Sequence, residues 1–181
     1  GVPSLLNSDY EYEKLVLHVS QRVPTGVLGN LRYAAEAGRI WGTLPYPLLI
    51  VHPGNETFYY DDGAYNTMNF FEFISDRYSS LWLEQHFDGF FFNRIPLLRK
   101  LKWREVAGVK ALVGDLAGKH ADELILLPIM RTLSEGAFME ANAGVENILK
   151  VLRVDGVWRL TYRDSPRATN FALRLKLTIN F

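Results

Sequence analysis

The chain has 181 residues, 48% of them hydrophobic, and its 20 basic and 20 acidic residues give a formal net charge of zero. A neutral chain offers no basic surface of the kind that attracts nucleic acid, and the absence of cysteine excludes a disulfide framework and thiolate metal sites. No stretch approaches the roughly 18 consecutive apolar residues that a membrane-spanning helix needs.

Seven stretches alternate apolar and polar residues, as a β-strand does when successive side chains point to opposite faces. In chain order they are residues 10–23, 27–41, 73–87, 101–114, 138–148, 152–163 and 170–181. The third is the least regular, because Trp82 falls on the same side as Ser80, Glu84 and His86. The sequence therefore predicts an all-β chain of about seven or eight strands.

The connections between these stretches alternate in length. Residues 24–26, 93–100 and 148–151 are short connections, whereas 43–70 and 115–137 are long and 164–169 is intermediate. Short turns at one end and long loops at the other are typical of an outer-membrane β-barrel, with periplasmic turns and extracellular loops. Most of the strands also reach the roughly 9 to 11 residues that a tilted membrane strand needs.

The alternation is strict in the last strand. In this strand and the two before it, alternation places the predicted site residues on two opposite faces. The apolar face, predicted to meet lipid and to act as a C-terminal assembly signal, carries Phe171, Leu173, Leu175, Leu177, Ile179 and Phe181. The charges predicted to face the lumen are Glu140, Glu146, Arg153, Asp155, Arg159, Arg174 and Lys176. Both signs are present, which favours a hydrated, ion-paired interior.

Two parts of the sequence support a resemblance to a known group of proteins. The alternating end at Phe181 resembles the C-terminal signal that outer-membrane barrels present to their assembly machinery. Residues 65–106 (YNTMNFFEFISDRYSSLWLEQHFDGFFFNRIPLLRKLKWREV) and 139–163 (MEANAGVENILKVLRVDGVWRLTYR) resemble the C-terminal barrel of Bacteroidota outer-membrane proteins of unknown function. Those proteins carry a carboxypeptidase-regulatory-like domain before a barrel similar to the surface-antigen superfamily, which includes the insertase BamA.

The resemblance implies a transmembrane antiparallel barrel of sixteen strands, of which this chain supplies the last seven. Residues 1–181 are accordingly interpreted as the C-terminal portion of an outer-membrane barrel domain, with extracellular loops at about 43–70 and 115–137. The first loop would fold back into the lumen carrying a Val-Arg-Gly-aromatic motif. This loop has no Arg or Lys, and the nearest match, residues 39–42, has the wrong order. The missing motif weakens the case for insertase or translocation activity, whereas the expected barrel architecture does not depend on it.

We therefore expect a non-catalytic protein of the bacterial outer membrane, acting in outer-membrane protein assembly, translocation or anchoring of surface complexes. Its expected partners are membrane lipid, the barrel assembly machinery through the C-terminal strand, the rest of its own barrel and other outer-membrane subunits. No cofactor, metal or catalytic residue is predicted, because the flanks of the four histidines do not match one another.

Two alternatives remain open from the sequence. The first is a soluble periplasmic β-barrel that binds an apolar ligand, in which the apolar faces would point inward. The second is a hydrolase that uses Ser80, Glu84 and His86 on one strand face, although no nucleophile elbow or triad spacing is readable.

Overall fold

The structure is a computed structural model that describes residues 12–42, 48–118 and 128–178. Within those ranges the strands are β1 (Tyr12–Pro24), β2 (Asn30–Gly42), β3 (Ile50–Val51), β4 (Ile74–Ser75), β5 (Arg77–His86), β6 (Arg104–Asp115), β7 (Phe138–Ile148), β8 (Leu152–Arg159) and β9 (Phe171–Leu177). The described ranges also contain a short helix, α1 (Pro96–Leu101), and 3-10 turns at Gly26–Leu28 and Phe92–Arg94. The predicted all-β class is confirmed.

Seven of the strands form one antiparallel sheet in the order β1-β2-β5-β6-β7-β8-β9, and β3 pairs only with β4. Each of the seven pairs with its neighbour in the chain, so that side chains directly opposite one another share a face. Among the described residues β1 and β9 are not paired with each other, and the sheet is open.

Two parts of the sequence prediction differ from the structure, and a third lies outside the described residues. The predicted strand 73–87 is divided, because Ile74 and Ser75 pair with β3 and the sheet strand begins only at Arg77. The predicted short turn at 93–100 is a longer connection that contains α1, which Pro96 begins and the left-handed Lys102 (φ 55°) ends. Ile179 and Phe181 of the predicted last strand lie outside the described residues.

The turn between β1 and β2 depends on one glycine. Gly29 adopts a φ of 88°, and a Cβ at this position would lie 2.2 Å from the carbonyl oxygen of His86. No other residue type fits that backbone and that space. The glycine therefore lets the first turn pass closely over the end of β5.

The sheet curls around its charged face. Arg22 on β1 and Thr178, just beyond β9, line one cavity of about 190 Å³, although β1 and β9 are opposite edges of the sheet. Two hydrophobic clusters lie inside the curl, toward the end with the long connections. They comprise Ile40, Leu49, Ile50, Ile74 and Met130, and Tyr65, Met68, Phe73, Leu112, Leu133 and Phe138.

Candidate functional site on the polar face of the sheet

Residues 48–76, called the inserted segment below, lie against the polar face of the sheet. Tyr65, Met68, Phe73 and Ile74 in this segment expose at most 1% of their surface. The segment folds back onto the charged faces of the strands. The candidate site is the set of contacts that holds it there.

The most buried of these contacts is an ion pair between β8 and the inserted segment. Both guanidinium nitrogens of Arg159 donate to the carboxylate of Glu72, Nη2 to Oε1 at 2.5 Å and Nη1 to Oε2 at 3.1 Å. The two side chains expose 0% and 2% of their surface. Nη1 also donates to the carbonyl oxygen of Thr67 at 3.1 Å. A two-pronged arginine–carboxylate contact fixes both position and orientation, so this pair sets where the segment sits.

A second contact uses a carboxylate of the sheet to bind the backbone of the segment. Glu140 on β7 accepts hydrogen bonds from the backbone nitrogens of Asn66, at 2.8 Å, and Thr67, at 2.9 Å. It also accepts one from the Thr67 hydroxyl at 2.8 Å. Three donors on one buried carboxylate satisfy the charge without an ion pair.

Two cations of the sheet bind backbone carbonyls of the segment. Lys110 on β6 donates to Ala64 at 2.5 Å, and Arg174 on β9 donates to Asn55 at 2.9 Å and to Asn66 at 2.6 Å. The inserted segment itself contains no Arg or Lys. The positive charges of this interface therefore come from the sheet, and the segment supplies the acceptors.

Arg153 on β8 organises the middle of the polar face. It donates to Glu84 and to Asp155, each at 2.6 Å, and its guanidinium lies 4.6 Å from the ring centre of Tyr60. Burial raises the pKa of the Tyr60 phenol far above its usual value, so the hydroxyl remains a donor, to Glu84 at 3.3 Å. One arginine thus connects two strands, β5 and β8, and the inserted segment.

The structure does not bring Ser80 and His86, two residues of the hydrolase alternative, within contact of each other. Ser80 and His86 lie on one strand, where six residues at about 3.3 Å each separate them by roughly 20 Å. The two ring nitrogens of His86 are already engaged, with Glu84 at 2.8 Å and Glu146 at 3.0 Å. Each ring nitrogen of His86 therefore lies against a carboxylate rather than against a nucleophile.

The irregular position of Trp82 has a structural reason. Its indole Nε1 donates to the Tyr65 hydroxyl at 3.0 Å, and the two rings meet edge-to-face at 5.6 Å. Tyr65 makes a second edge-to-face contact with Phe138. An aromatic residue interrupts the polar side of β5 because the inserted segment brings an aromatic residue to meet it.

His52 is buried in the inserted segment with 3% exposure. Its Nε2 lies 3.0 Å from the Ser75 hydroxyl, and its ring meets Tyr78 edge-to-face at 5.0 Å. Burial lowers the pKa of His52 to about 4, with only partial compensation from Glu36. The packed form therefore requires the neutral imidazole at ordinary pH.

The inserted segment also reaches the free edge of the sheet. The backbone nitrogen of Tyr60 donates to the carbonyl of Leu175 at 2.7 Å, and the backbone nitrogen of Leu175 donates to Phe58 at 2.9 Å. Lys176 adds an ion pair with Asp62 at 2.5 Å. The segment thereby satisfies one residue of the otherwise open edge of β9.

The structure brings the predicted charged residues together. Glu140, Glu146, Arg153, Asp155, Arg159, Arg174 and Lys176 all lie on the face that the inserted segment covers. The opposite face of β9 carries exposed Phe171, Leu173, Leu175 and Leu177. Sequence reasoning placed Lys110 on a polar strand face but missed Glu72 and Asn66 as members of the site. Glu72 and Asn66 gave no signal, because nothing local marks a loop residue as buried.

The face opposite the inserted segment is apolar and exposed along the whole sheet. Leu17 exposes 62% of its surface, Val19 60%, Val113 49% and Leu173 64%, whereas the polar-face residues Arg153 and Asp155 expose 1% and 0%. A soluble protein buries apolar residues and exposes charges. Strands β8 and β9 do the reverse.

The comparisons with known proteins give one match. A family model described as "Family of unknown function (DUF5686) C-terminal domain" matches residues 1–122. No protein of curated function and no solved structure matches the chain. Within the described residues, no helix has the length and apolar character to cross a membrane.

Proposed function

This chain belongs to that family of unknown function, as its C-terminal domain, and we propose that it forms part of the wall of a β-barrel in the bacterial outer membrane. The observation that carries the proposal is the exposed apolar face of the sheet, opposite a buried charged face. Exposed apolar surface of this extent marks a site of contact with a membrane or a partner. Because it runs along successive strands rather than forming one local patch, lipid is the better match.

The open edges of the sheet complete the proposal. In hydrocarbon an unpaired backbone N–H or C=O costs several kcal/mol, so a sheet in lipid must close on itself. The edge at β1, and the part of the β9 edge that the inserted segment does not already bind at Leu175, would pair with further strands of a sixteen-stranded barrel. In that barrel the charged face lines the interior, and the loops at about 43–70 and 115–137 would leave the sheet at its extracellular end.

The position of the inserted segment inside the proposed barrel helps to choose among assembly, anchoring and translocation. Buried ion pairs and hydrogen bonds hold the inserted segment against the wall, so the segment would occupy part of the interior. A partly filled, non-catalytic barrel supports anchoring of surface complexes or assembly of outer-membrane proteins more directly than translocation. Its partners would be lipid, other outer-membrane subunits and, through the β9 face, the barrel assembly machinery.

The alternative, a soluble periplasmic barrel around an apolar ligand, places the apolar faces inside. The inserted segment would then cover the outside of the barrel, with Arg159 and Glu72 buried there. The curl of the sheet favours the opposite arrangement, because the sheet bends toward the charged face.

Two native tryptophans test the proposal. Trp158 lies on the apolar face with 43% exposure, and Trp82 lies on the polar face against Tyr65. Two single-tryptophan variants, each with the other three tryptophans changed to Phe, are reconstituted into vesicles with and without lipids brominated in the acyl chain. We expect bromine to quench Trp158 strongly and Trp82 weakly. Equal quenching of the two, or a protein that stays in solution without detergent, would sink the membrane proposal and favour the soluble barrel.

A further inference from the structure

Two arginines face each other at the short-connection end of the sheet. Arg22 on β1 and Arg32 on β2 are directly paired in the antiparallel register, and both side chains lie on the polar face. Like charges directly opposite one another destabilise a strand pair. Among the described residues neither arginine has an ion-pair partner, so the repulsion is not offset within this part of the chain.

The acidic residues near the two arginines form ion pairs with other cations. Glu84, opposite Arg32 on β5, binds Arg153 through Oε2 and His86 through Oε1. Glu146 binds the other nitrogen of His86. Asp88 binds Arg104 at 3.2 Å and also accepts from Asn30. The local charge therefore remains positive at the two arginines.

The two arginines also line a cavity. A cavity of about 190 Å³ at this end is lined by Arg22, Arg32 and Lys150, together with the ion-paired Asp88 and Glu146. A larger cavity of about 440 Å³ adjoins it and shares both arginines, with Tyr60 and Trp82 on its far side. The small cavity is large enough for a small anion. The large cavity could hold the rest of a molecule that carries the anionic group.

We propose that Arg22 and Arg32 bind a phosphate group in this cavity, assisted by Lys150. Two planar guanidinium groups can each give two parallel hydrogen bonds to phosphate oxygens. A doubly charged phosphate would turn the repulsion between the arginines into two attractions. The proposal concerns the interior face only, so it does not depend on whether the opposite face meets lipid.

The test compares two double variants of the whole protein in detergent. R22Q/R32Q removes the site. K14Q/K100Q removes the same amount of charge from two exposed positions, Lys14 at the opposite end of β1 and Lys100 on α1. Binding of inorganic phosphate and of glycerol 3-phosphate is measured by titration calorimetry at constant ionic strength, with chloride replacing phosphate in the reference. Urea unfolding is measured without phosphate.

We expect the wild type and K14Q/K100Q to bind phosphate alike, and R22Q/R32Q to bind at least about tenfold more weakly, since charge-assisted contacts are lost. Without phosphate, R22Q/R32Q should unfold at the same or a higher urea concentration, because the repulsion is removed. Tighter binding of glycerol 3-phosphate would assign the site to a phosphate ester, and equal binding would assign it to the free ion. Equal affinities in all three proteins, or no binding by the wild type, would overturn the proposal. Either result leaves the lipid-quenching experiment untouched.

Discussion

Replacing Glu72 by Gln tests how the inserted segment is held. The substitution keeps the size of the side chain and removes the charge that faces Arg159, whose side chain exposes 0% of its surface. Breaking a buried ion pair from one side typically costs 3 to 5 kcal/mol, because the remaining charge stays buried without a partner. Arg159 still has the carbonyl of Thr67 and the hydroxyl of Ser165 as acceptors. We therefore expect a loss at the lower end, about 3 kcal/mol in the free energy of unfolding.

The second variant completes a double-mutant cycle. Adding Arg159→Met to Glu72→Gln removes the unpaired cation, so the double variant should recover about 2 kcal/mol relative to Glu72→Gln alone. Unfolding in urea is followed by the fluorescence of Trp82, which contacts Tyr65 of the inserted segment, in the variant whose other three tryptophans are changed to Phe. As a control, Asp62→Asn breaks the more exposed pair with Lys176 and should cost less than about 1 kcal/mol. A cost for Glu72→Gln no greater than that of the control, or strict additivity in the cycle, would refute this account of the ion pair.

Three further predictions follow from the same structure. In lipid, Leu173→Arg should lower the free energy of unfolding by about 2 to 4 kcal/mol if the position lies near the bilayer midplane, while Leu173→Ala should cost far less; a neutral effect of the arginine would contradict lipid contact. Because the pKa of His52 is lowered to about 4 in the folded protein from a usual 6.5, the unfolded chain binds the proton first, so stability is full above pH 6.5 and falls by up to about 3 kcal/mol as the pH drops toward 4. His52→Gln should remove that part of the pH dependence of the urea midpoint, and an unchanged slope would count against the buried imidazole. Since the chain has no cysteine, Tyr59→Cys with Leu175→Cys should form a disulfide across their parallel bridge, whereas Phe58→Cys with Leu175→Cys should not; the gel mobility of the oxidised proteins distinguishes the two pairs.

The strand and face assignments were predictable because they depend on local alternation. In β9, Arg174 and Lys176 on one face and Leu173 and Leu175 on the other follow from a period of two residues. Short-range pattern also placed Glu140 and Arg153 on the polar side of their strands. It could not place α1, because the six residues of that helix lie in a connection where no alternation is broken.

The partners of these charges were decided by the tertiary structure alone. Glu72 and Arg159 are 87 residues apart in the chain, and nothing near Glu72 in the sequence distinguishes it from a solvated loop acid. Trp82 looked like an error in the pattern of β5 until Tyr65 was brought against it. Alternation determines the face of the sheet to which a side chain points, because that depends on the local backbone. The partner that the side chain contacts depends on where a distant loop folds. Only the packing of the inserted segment against the sheet determines that partner.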